Sequence, residues 1–263
     1  MAADRDKARA GIQSVEVGFA LLQALSAAPG PMMLRDLAAA AGMSAAKAHR
    51  YLVSFQRLGL VLQDAQDTRY DLGPAALKLG LATLARMDAV KMARERVPSL
   101  LHTVGHTVAL AVWGNQGPTM VHWAQSPLVI AATLRLGDVM PLLSSATGRC
   151  FAAYLPRPAI ASMLEAELVV ERKLKRPEVP HNQSDIQTLL AQVRERGLAR
   201  VVNSLAPGIV GFCAPVFDAD AHLALGMVVL GSAATLSSDW DSPAALALKA
   251  CARQLSTDLG WVA

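Results

Sequence analysis

The sequence is poor in cysteine and contains no long apolar run, and each absence excludes a class of protein. Its three cysteines, Cys150, Cys213 and Cys251, are odd in number and show no C-x-x-C spacing, so neither a disulfide framework nor a structural zinc site is predicted. No apolar run approaches the ~18 residues that a membrane span needs, and the opening MAADRDKARAG lacks the apolar segment of a signal peptide. We therefore expect a cytoplasmic protein with reduced cysteines and no membrane partner.

The net charge of the chain is also small. Lys and Arg number 25 against 21 Asp and Glu, which gives a net charge of +4. Up to Val90 there are 10 basic and 8 acidic residues, and the remainder holds 15 and 13, so each part carries +2. This mild excess is compatible with a nucleic-acid partner but does not require one. At 263 residues the chain is long enough for two domains of ordinary size.

Motifs of catalysis and metal binding are also missing. Cys150 or Cys213 with a histidine could serve as nucleophile and base, but no strand–nucleophile–helix elbow and no H-E-x-x-H motif accompanies them. His102 and His106 have i, i+4 spacing but no third ligand near them in sequence. We expect no catalytic residue, no metal and no cofactor. Two alternatives stay open: a redox-responsive regulator that uses Cys213, and a cysteine-dependent enzyme.

The stretch from Leu34 to Leu62 predicts two helices separated by a tight turn. The first helix, Leu34–Ala41, ends at Gly42, which takes a positive φ at no steric cost, and Ser44 caps the second. The second helix has an apolar face and a cationic face, formed respectively by Ala48, Tyr51, Leu52, Phe55 and Leu58 and by Lys47, Arg50, Ser54 and Arg57. The cationic face is about 15 Å long at ~1.5 Å per residue, comparable with a major groove ~12 Å wide.

The flanking residues complete a DNA-binding unit. A preceding helix from Ser14 carries the apolar stripe Val17, Leu21, Leu22 and Leu25. After Gly59, the residues LVLQDAQDTRYDLG alternate into two short strands around the polar turn Asp64–Thr68. Helix, turn, helix and ribbon in this order indicate a winged helix-turn-helix, whose second helix enters the major groove. An ordinary helical pair followed by a hairpin is the structural alternative.

A linker helix is predicted next, beginning at Pro74 and broken or bent at Pro98. Its Leu77, Leu81 and Leu84 form an apolar seam that we interpret as a dimer contact.

Beyond the linker the periodicity is that of a second, mixed domain. We expect strands over TVALAVW, TMVHWA and LRLGDVMPLL, helices over RCFAAYL and AIASMLEAE, and an exposed loop over Glu171–Ser184. A helix Asp185–Arg196 follows, then strands Leu198–Asn203, Gly211–Phe217 and Leu223–Leu230, and a last helix from Pro243 to Leu259. An antiparallel sheet flanked by helices is a common cradle for a small ligand.

Four segments in this order resemble the IclR family of bacterial transcription factors: SVEVGFALLQAL, GMSAAKAHRYLVSFQRLGLV, SSATGRCFAAYL, and PGIVGFCAPVFD followed by LGMVVLG. The resemblance implies an α+β protein with a winged helix-turn-helix domain (residues 1–73), a linker helix (74–90) and a GAF-like effector-binding domain with an antiparallel sheet (91–263). It also implies a homodimer or homotetramer that binds double-stranded operator DNA and regulates nearby operons in response to a small metabolite.

The resemblance and the charge pattern together select the candidate DNA contacts. Relatives carry a proline, a lysine and hydroxyl residues at the front of the recognition helix, where this chain has Ser44, Ala45, Ala46 and Lys47, so its base preference should differ. The candidate contacts are Ser44, Lys47, His49, Arg50 and Ser54 in the groove and Arg69 in the wing. For His49, a plain surface histidine is the alternative.

The effector site is expected to be more apolar than in relatives that bind short polar acids. A gapless comparison from Gly197 places Val201, Gly211, Val228 and Leu230 where those relatives have polar contacts. Polar candidates that remain are His122, Arg135, Ser144, Ser145, Thr147 and Asn203, with Ala146 in the same helix start; Trp113, Met140, Phe212 and Cys213 could form apolar walls. We therefore expect a small organic acid effector with an aromatic ring. For each apolar candidate, plain core packing is the alternative.

Overall fold

The computed structural model describes residues 11–84, 88–128, 134–174, 176 and 178–262. These residues form two compact units, which divide after residue 87. Every helix within these ranges is too short or too polar to cross a bilayer.

The amino-terminal unit is a set of helices with a two-stranded ribbon, as the periodicity predicts. Its elements are α1 (Gln13–Ala27), α2 (Leu34–Ala40), α3 (Ala45–Arg57), β1 (Val61–Gln63), β2 (Tyr70–Leu72) and α4 (Pro74–Leu84). The predicted stripes form its core, which contains Leu21, Leu25, Leu37, Ala38, Ala48, Leu52, Val61 and Tyr70. Gly18 lets α1 approach α3, because a Cβ at this position would lie 2.9 Å from the Tyr51 ring.

Leu58 departs from the predicted apolar face of α3, since 65% of it is exposed. It caps the helix, and the chain then turns through Gly59 at φ 70°. The amide of Gly59 donates to the carbonyl of Gln56, and that of Leu60 donates to the carbonyl of Phe55. These two bonds form a Schellman motif, which satisfies the last carbonyls of the helix and directs Leu58 to solvent.

Two helices follow the ribbon where the sequence predicted one. The first is α4, in the amino-terminal unit; α5 (Ala89–Val104) belongs to the second unit. Asp88 has non-helical dihedrals, and its carboxylate accepts the Lys91 amide at 3.0 Å, so it begins α5 as an N-cap. The predicted break at Pro98 is wrong, because α5 continues through it. Proline removes one helical hydrogen bond, but buried Val97 and Leu100 hold the helix on both sides.

The second unit contains a five-stranded antiparallel sheet with strand order β4-β3-β7-β6-β5. Its strands are β3 (Thr107–Gly114), β4 (Gly117–Ala124), β5 (Ala199–Val202), β6 (Ile209–Phe217) and β7 (Leu223–Ser232), and its further helices are α6 (Ala146–Tyr154), α7 (Arg157–Leu174), α8 (Gln183–Arg196) and α9 (Pro243–Asp258).

Helices cover the sheet on both sides. The α6 face, which includes Gly211 and Cys213 of β6, packs against α6, α7 and α8. The α9 face, which includes Phe212 and Ala214, packs against α5 and α9. Successive residues of a strand point to opposite faces, so strand register decides which candidate residues can meet.

Two predicted segments of this unit differ from the structure. Residues 134–140 form turns rather than a strand, with one isolated bridge from Val139 to Thr119. The predicted loop Glu171–Ser184 begins inside a helix, because α7 extends to Leu174. Glu171 is buried and ion-paired with Arg176, whose guanidinium also donates to the carbonyl of Ser204 at 2.9 Å.

Candidate nucleic-acid interface and ligand cavities

The predicted DNA contacts at the start of α3 and along it are all accessible to solvent. Ser44, Lys47, His49, Arg50 and Ser54 are all exposed. The Ser44 hydroxyl caps α3 by accepting the Lys47 amide at 3.4 Å, and the Ser54 hydroxyl donates to the carbonyl of Arg50 at 3.3 Å. In the described ranges, no carboxylate lies within 4.0 Å of the Lys47 or Arg50 nitrogens. Both cations are therefore available to phosphates and base edges.

Arg69 is held at the base of the ribbon rather than at its tip. Its Nε lies 3.4 Å from the carboxylate of Asp67, and its Nη1 donates to the carbonyl of Pro31 at 3.5 Å. Half of its side chain remains exposed. A phosphate would compete with Asp67 for this guanidinium.

The ribbon is braced by contacts that the sequence pattern did not indicate. The Gln63 amide donates to the carbonyl of Thr68 at 3.0 Å, and Gln56 of α3 donates to Gln63 at 3.5 Å. Inside the predicted turn Asp64–Thr68, the Asp64 carboxylate accepts the Gln66 amide at 2.6 Å. These bonds fix the ribbon relative to the end of α3.

On the α6 face, a small apolar cavity lies between the start of α6 and the sheet. Eight of the candidate effector residues line it, namely Met140, Ser145, Ala146, Thr147, Val201, Gly211, Val228 and Leu230. Its remaining lining residues, Met120, Leu134, Leu205 and Ile209, were not predicted. Met120 and Ile209 follow the strand alternation and were open to prediction, whereas Leu134 and Leu205 come from irregular segments with no periodic signal. The cavity volume is about 20 Å³, room for about one water molecule.

Polar groups in this cavity are concentrated at the start of α6. The Ser145 hydroxyl accepts the Gly148 amide at 2.8 Å and donates to the carbonyl of Pro141 at 2.7 Å, so its hydrogen-bonding capacity is largely used. The Thr147 hydroxyl and the amides of Ala146 and Thr147 remain for a ligand. A helix amino terminus favours an anion because its amides are unpaired and its dipole is positive there.

Seven candidate effector residues lie outside this cavity. Trp113 packs on Phe151 with ring centroids 6.0 Å apart. Ser144 is fully buried, and its hydroxyl has no partner among the described residues. Arg135 is exposed, and Asn203, exposed in a turn at φ 57°, accepts the Gly208 amide at 2.7 Å.

Phe212 and His122 lie on the wrong face of the sheet for this cavity. Phe212 neighbours Gly211 in β6 and therefore points to the α9 face. His122 pairs with Leu110, which also faces α5, because a bulge beyond Leu110 shifts the register of β4. Burial, together with the charge of nearby Arg94, lowers the pKa of His122.

Cys213 is a core residue, which argues against the redox alternative. It is fully buried on the α6 face and hydrogen-bonded to Cys150. Burial raises its pKa well above the ordinary thiol value, and the contact with Cys150 adds to this. Reactivity with oxidants and electrophiles requires thiolate and access, and Cys213 has neither.

Two charged groups, half-buried Glu167 and buried Arg149, support the segment that leads into α6. The Glu167 carboxylate accepts the amides of Leu142 and Leu143 at 2.7 and 2.9 Å, and burial raises its pKa in spite of these bonds. The Arg149 guanidinium donates to the carbonyls of Leu143, Glu178 and Arg200 at 2.8, 2.6 and 2.7 Å. Burial lowers the pKa of Arg149 to about 10, so the side chain is still charged at neutral pH.

A larger cavity of about 630 Å³ lies beside the second half of β6, where the ends of α6 and α8 approach α9, and was not predicted from the sequence. The carboxyl ends of α8 and β6, the second half of α9 and Trp261 enclose it. Its wall contains three aromatic rings, Tyr154, Phe217 and Trp261, and four cations, Arg194, Arg196, Lys249 and Arg253, with Glu195 as the one carboxylate in the lining. They come from separate stretches of the sequence, and no local pattern joins one stretch to another.

Family models match both units of the chain. The model of the IclR helix-turn-helix domain matches residues 14–65, and that of the carboxyl-terminal domain of the bacterial transcriptional regulator IclR matches residues 81–257. Together they cover most of the sequence.

Characterised relatives are similar over nearly their whole length. The glycerol operon regulatory protein of Streptomyces coelicolor is 31% identical over 252 residues, which cover 95% of this chain and 97% of the relative. The crystal structure of Pseudomonas aeruginosa HmgR superposes with a TM-score of 0.87 at 36% identity and covers 95% of this chain and 99% of its own. The Agrobacterium tumefaciens repressor BlcR shares the fold, with a TM-score of 0.80 at 19% identity over 96% of this chain and 99% of its own.

Proposed function

The chain belongs to the IclR family of bacterial transcriptional regulators, and on that premise we propose that it binds its operator through α3 and senses a small aromatic acid. The family consists of regulators rather than enzymes, and its members bind operator DNA and small-molecule effectors. We assign DNA binding to residues 1–73, the link to 74–90 and effector binding to 91–263. We further propose a homodimer or homotetramer whose subunits meet through the apolar seam of α4.

The exposed cationic face of α3 carries the DNA-binding proposal. Lys47, His49, Arg50 and Ser54 would lie against base edges and phosphates in the major groove, and Arg69 would contact the backbone beside the ribbon. Arg50 is the best candidate for base recognition, because its guanidinium is exposed and can form the bidentate pair that reads a guanine.

Arg50→Ala tests this role. The wild-type chain would first select its operator from a random duplex library, and gel-shift titrations would then compare variants on that duplex. We expect Arg50→Ala to weaken operator binding by ~1–3 kcal/mol and to relax selectivity at one base pair. Lys78→Ala, which removes an exposed cation from α4 instead, should change affinity much less. Equal affinities for Arg50→Ala and wild type would remove α3 from the groove.

The apolar lining of the α6-face cavity carries the effector proposal. Val201, Gly211, Val228 and Leu230 would leave a short polar acid without partners, and an unpaired carboxylate moved into such surroundings loses several kcal/mol of hydration. A planar ring gains instead, at roughly 25 cal/mol per Å² of buried apolar surface. Its carboxylate would bind the Thr147 hydroxyl and the first amides of α6.

Calorimetry with two classes of acid decides between these ligands. We expect benzoate and its substituted forms to bind more tightly than glyoxylate and pyruvate. Thr147→Val removes one hydroxyl at nearly constant shape and should weaken benzoate binding by about 1 kcal/mol. Thr188→Val removes an exposed hydroxyl from α8 and should leave binding unchanged. Tighter binding of glyoxylate or pyruvate would exclude an aromatic effector.

A further inference from the structure

We propose that the larger cavity, between the ends of α6 and α8, β6 and α9, is a second small-molecule site, which binds an amphipathic organic anion with a planar ring. Its volume of about 630 Å³ falls within the ~300–1,000 Å³ of typical ligand pockets. The effector cavity proposed above shares no lining residue with it, so the two sites are separate.

The aromatic part of the wall can hold a planar apolar group. Phe217 lies between the other two rings, with centroids 5.1 Å from Tyr154 and 5.3 Å from Trp261. Trp261 is fixed through its backbone, since its amide donates to the carbonyl of Ser256 at 2.9 Å. Ser256 also accepts the Phe217 amide at 3.0 Å, which ties β6 to α9 at the floor of the cavity. The rings are therefore held in place before a ligand arrives.

The charged part of the wall selects for an anion. Among the residues that the structure describes, no carboxylate lies within 4.0 Å of the side-chain nitrogens of Arg194, Lys249 or Arg253. Excess cations beside an apolar wall attract an anion, and the low polarity of the wall strengthens that attraction.

Two of the cations are also oriented. The Nε of Arg194 donates to the carbonyl of Ala153 at 2.6 Å, which leaves its two terminal nitrogens free to bind a carboxylate. The guanidinium of Arg196 lies 4.7 Å from the centre of the Trp240 ring. A guanidinium held in this way loses less rotamer freedom when it binds an anion. The aromatic wall and the oriented cations together favour an organic anion with a planar ring.

Binding of 2-naphthoate to the full-length protein tests the proposal by titration calorimetry at low ionic strength. The uncharged 2-naphthamide serves as the matched ligand without the anion. The double variant Lys249→Gln/Arg253→Gln removes two cations from the rim at similar volume, and Lys91→Gln removes an exposed cation of the same unit outside the cavity. Thr147→Val reports separately on the effector cavity.

We expect 2-naphthoate to bind more tightly than 2-naphthamide and the double variant to lose about tenfold in affinity, the scale of two exposed ion pairs. Lys91→Gln and Thr147→Val should retain this binding. The proposal would be overturned if the double variant bound 2-naphthoate as tightly as wild type or if Lys91→Gln lost as much affinity as the double variant. It would also be overturned if 2-naphthoate and 2-naphthamide bound equally well. A change of sedimentation coefficient in the double variant would show instead that a second copy of the chain covers this surface.

Discussion

Gly148 is a residue at which one added methyl group has no space. A Cβ there would lie 1.9 Å from the carbonyl oxygen of Pro141, which is backbone and cannot rotate away. The contact brings α6 against the segment that Glu167 and Arg149 hold by their hydrogen bonds. The start of α6, where we place the effector carboxylate, is thus positioned by the absence of a side chain.

We predict that Gly148→Ala destabilises the effector-binding unit by about 2–3 kcal/mol, because α6 must move away from Pro141. Scanning calorimetry of the full chain would measure this as a lower unfolding temperature.

Gly80→Ala is the control for this substitution. Gly80 is also helical, but a Cβ there would meet nothing within 4 Å. Alanine should stabilise that helix by roughly 0.5–1 kcal/mol. If both variants unfolded at the wild-type temperature, the close contact of α6 would have no energetic weight.

For some candidate site residues, the sequence could not predict which face of the sheet their side chains occupy. Strand β6 is buried on both faces over most of its length, so its sequence has no apolar–polar alternation to show which side chains share a face. Phe212 was therefore grouped with Gly211, although they point in opposite directions. His122 was placed on the wrong face because the β-bulge next to Leu110 could not be predicted. One extra residue moves the side chains of the rest of the strand to the opposite face of the sheet.

Among elements, predictions succeeded where the signal was local. Ser44 caps α3 and α8 ends at Arg196, both as the sequence predicted, and Gly197 follows α8 at φ 61°. The predicted loop Glu171–Ser184 is wrong at its ends, because α7 extends to Leu174 and α8 begins at Gln183. Its charges suggested solvent, whereas Glu171 is buried against Arg176. An ion pair that permits burial of a charge depends on tertiary structure and produces no periodic pattern in the sequence.

The start of α5 gives a prediction at this scale. Asp88→Ala removes the cap of that helix and should cost about 1 kcal/mol. Hydrogen exchange at the Lys91 amide is the direct readout, because this is the amide that the Asp88 carboxylate accepts. We expect faster exchange in Asp88→Ala and near wild-type exchange in Asp88→Asn, which retains an acceptor. Unchanged exchange in the alanine variant would mean that the cap contributes nothing.

At the scale of the whole molecule, two helices of the amino-terminal unit expose apolar side chains that a second subunit could cover. Leu77 and Leu81 of α4 are 64% and 55% exposed, and Ile12, Val15 and Phe19 are also exposed along the start of α1. The side chain of Leu84, the third leucine of the predicted seam, lies outside the described residues. Clustered apolar surface of this kind marks an interaction site.

We predict that Leu77→Gln/Leu81→Gln shifts the protein toward monomer in sedimentation velocity, because the seam loses its apolar contacts. Operator affinity should fall with it, since two linked half-sites bind more tightly than one. Leu62→Gln, which changes an exposed leucine of the ribbon, should retain the oligomer. A double variant that sediments like wild type would place the subunit contact elsewhere.

The volume of about 20 Å³ beside α6 has a consequence for how quickly the protein can respond. A benzoate-sized molecule cannot enter until side chains such as Leu134 and Leu205 move aside, so only the open fraction of molecules is competent to bind. The apparent dissociation constant then exceeds the intrinsic one by the inverse of that fraction. In stopped-flow mixing, the observed association rate should level off as ligand concentration rises, at the rate at which the cavity opens. The time constant of the transcriptional response would then have a lower limit set by protein motion rather than by ligand supply.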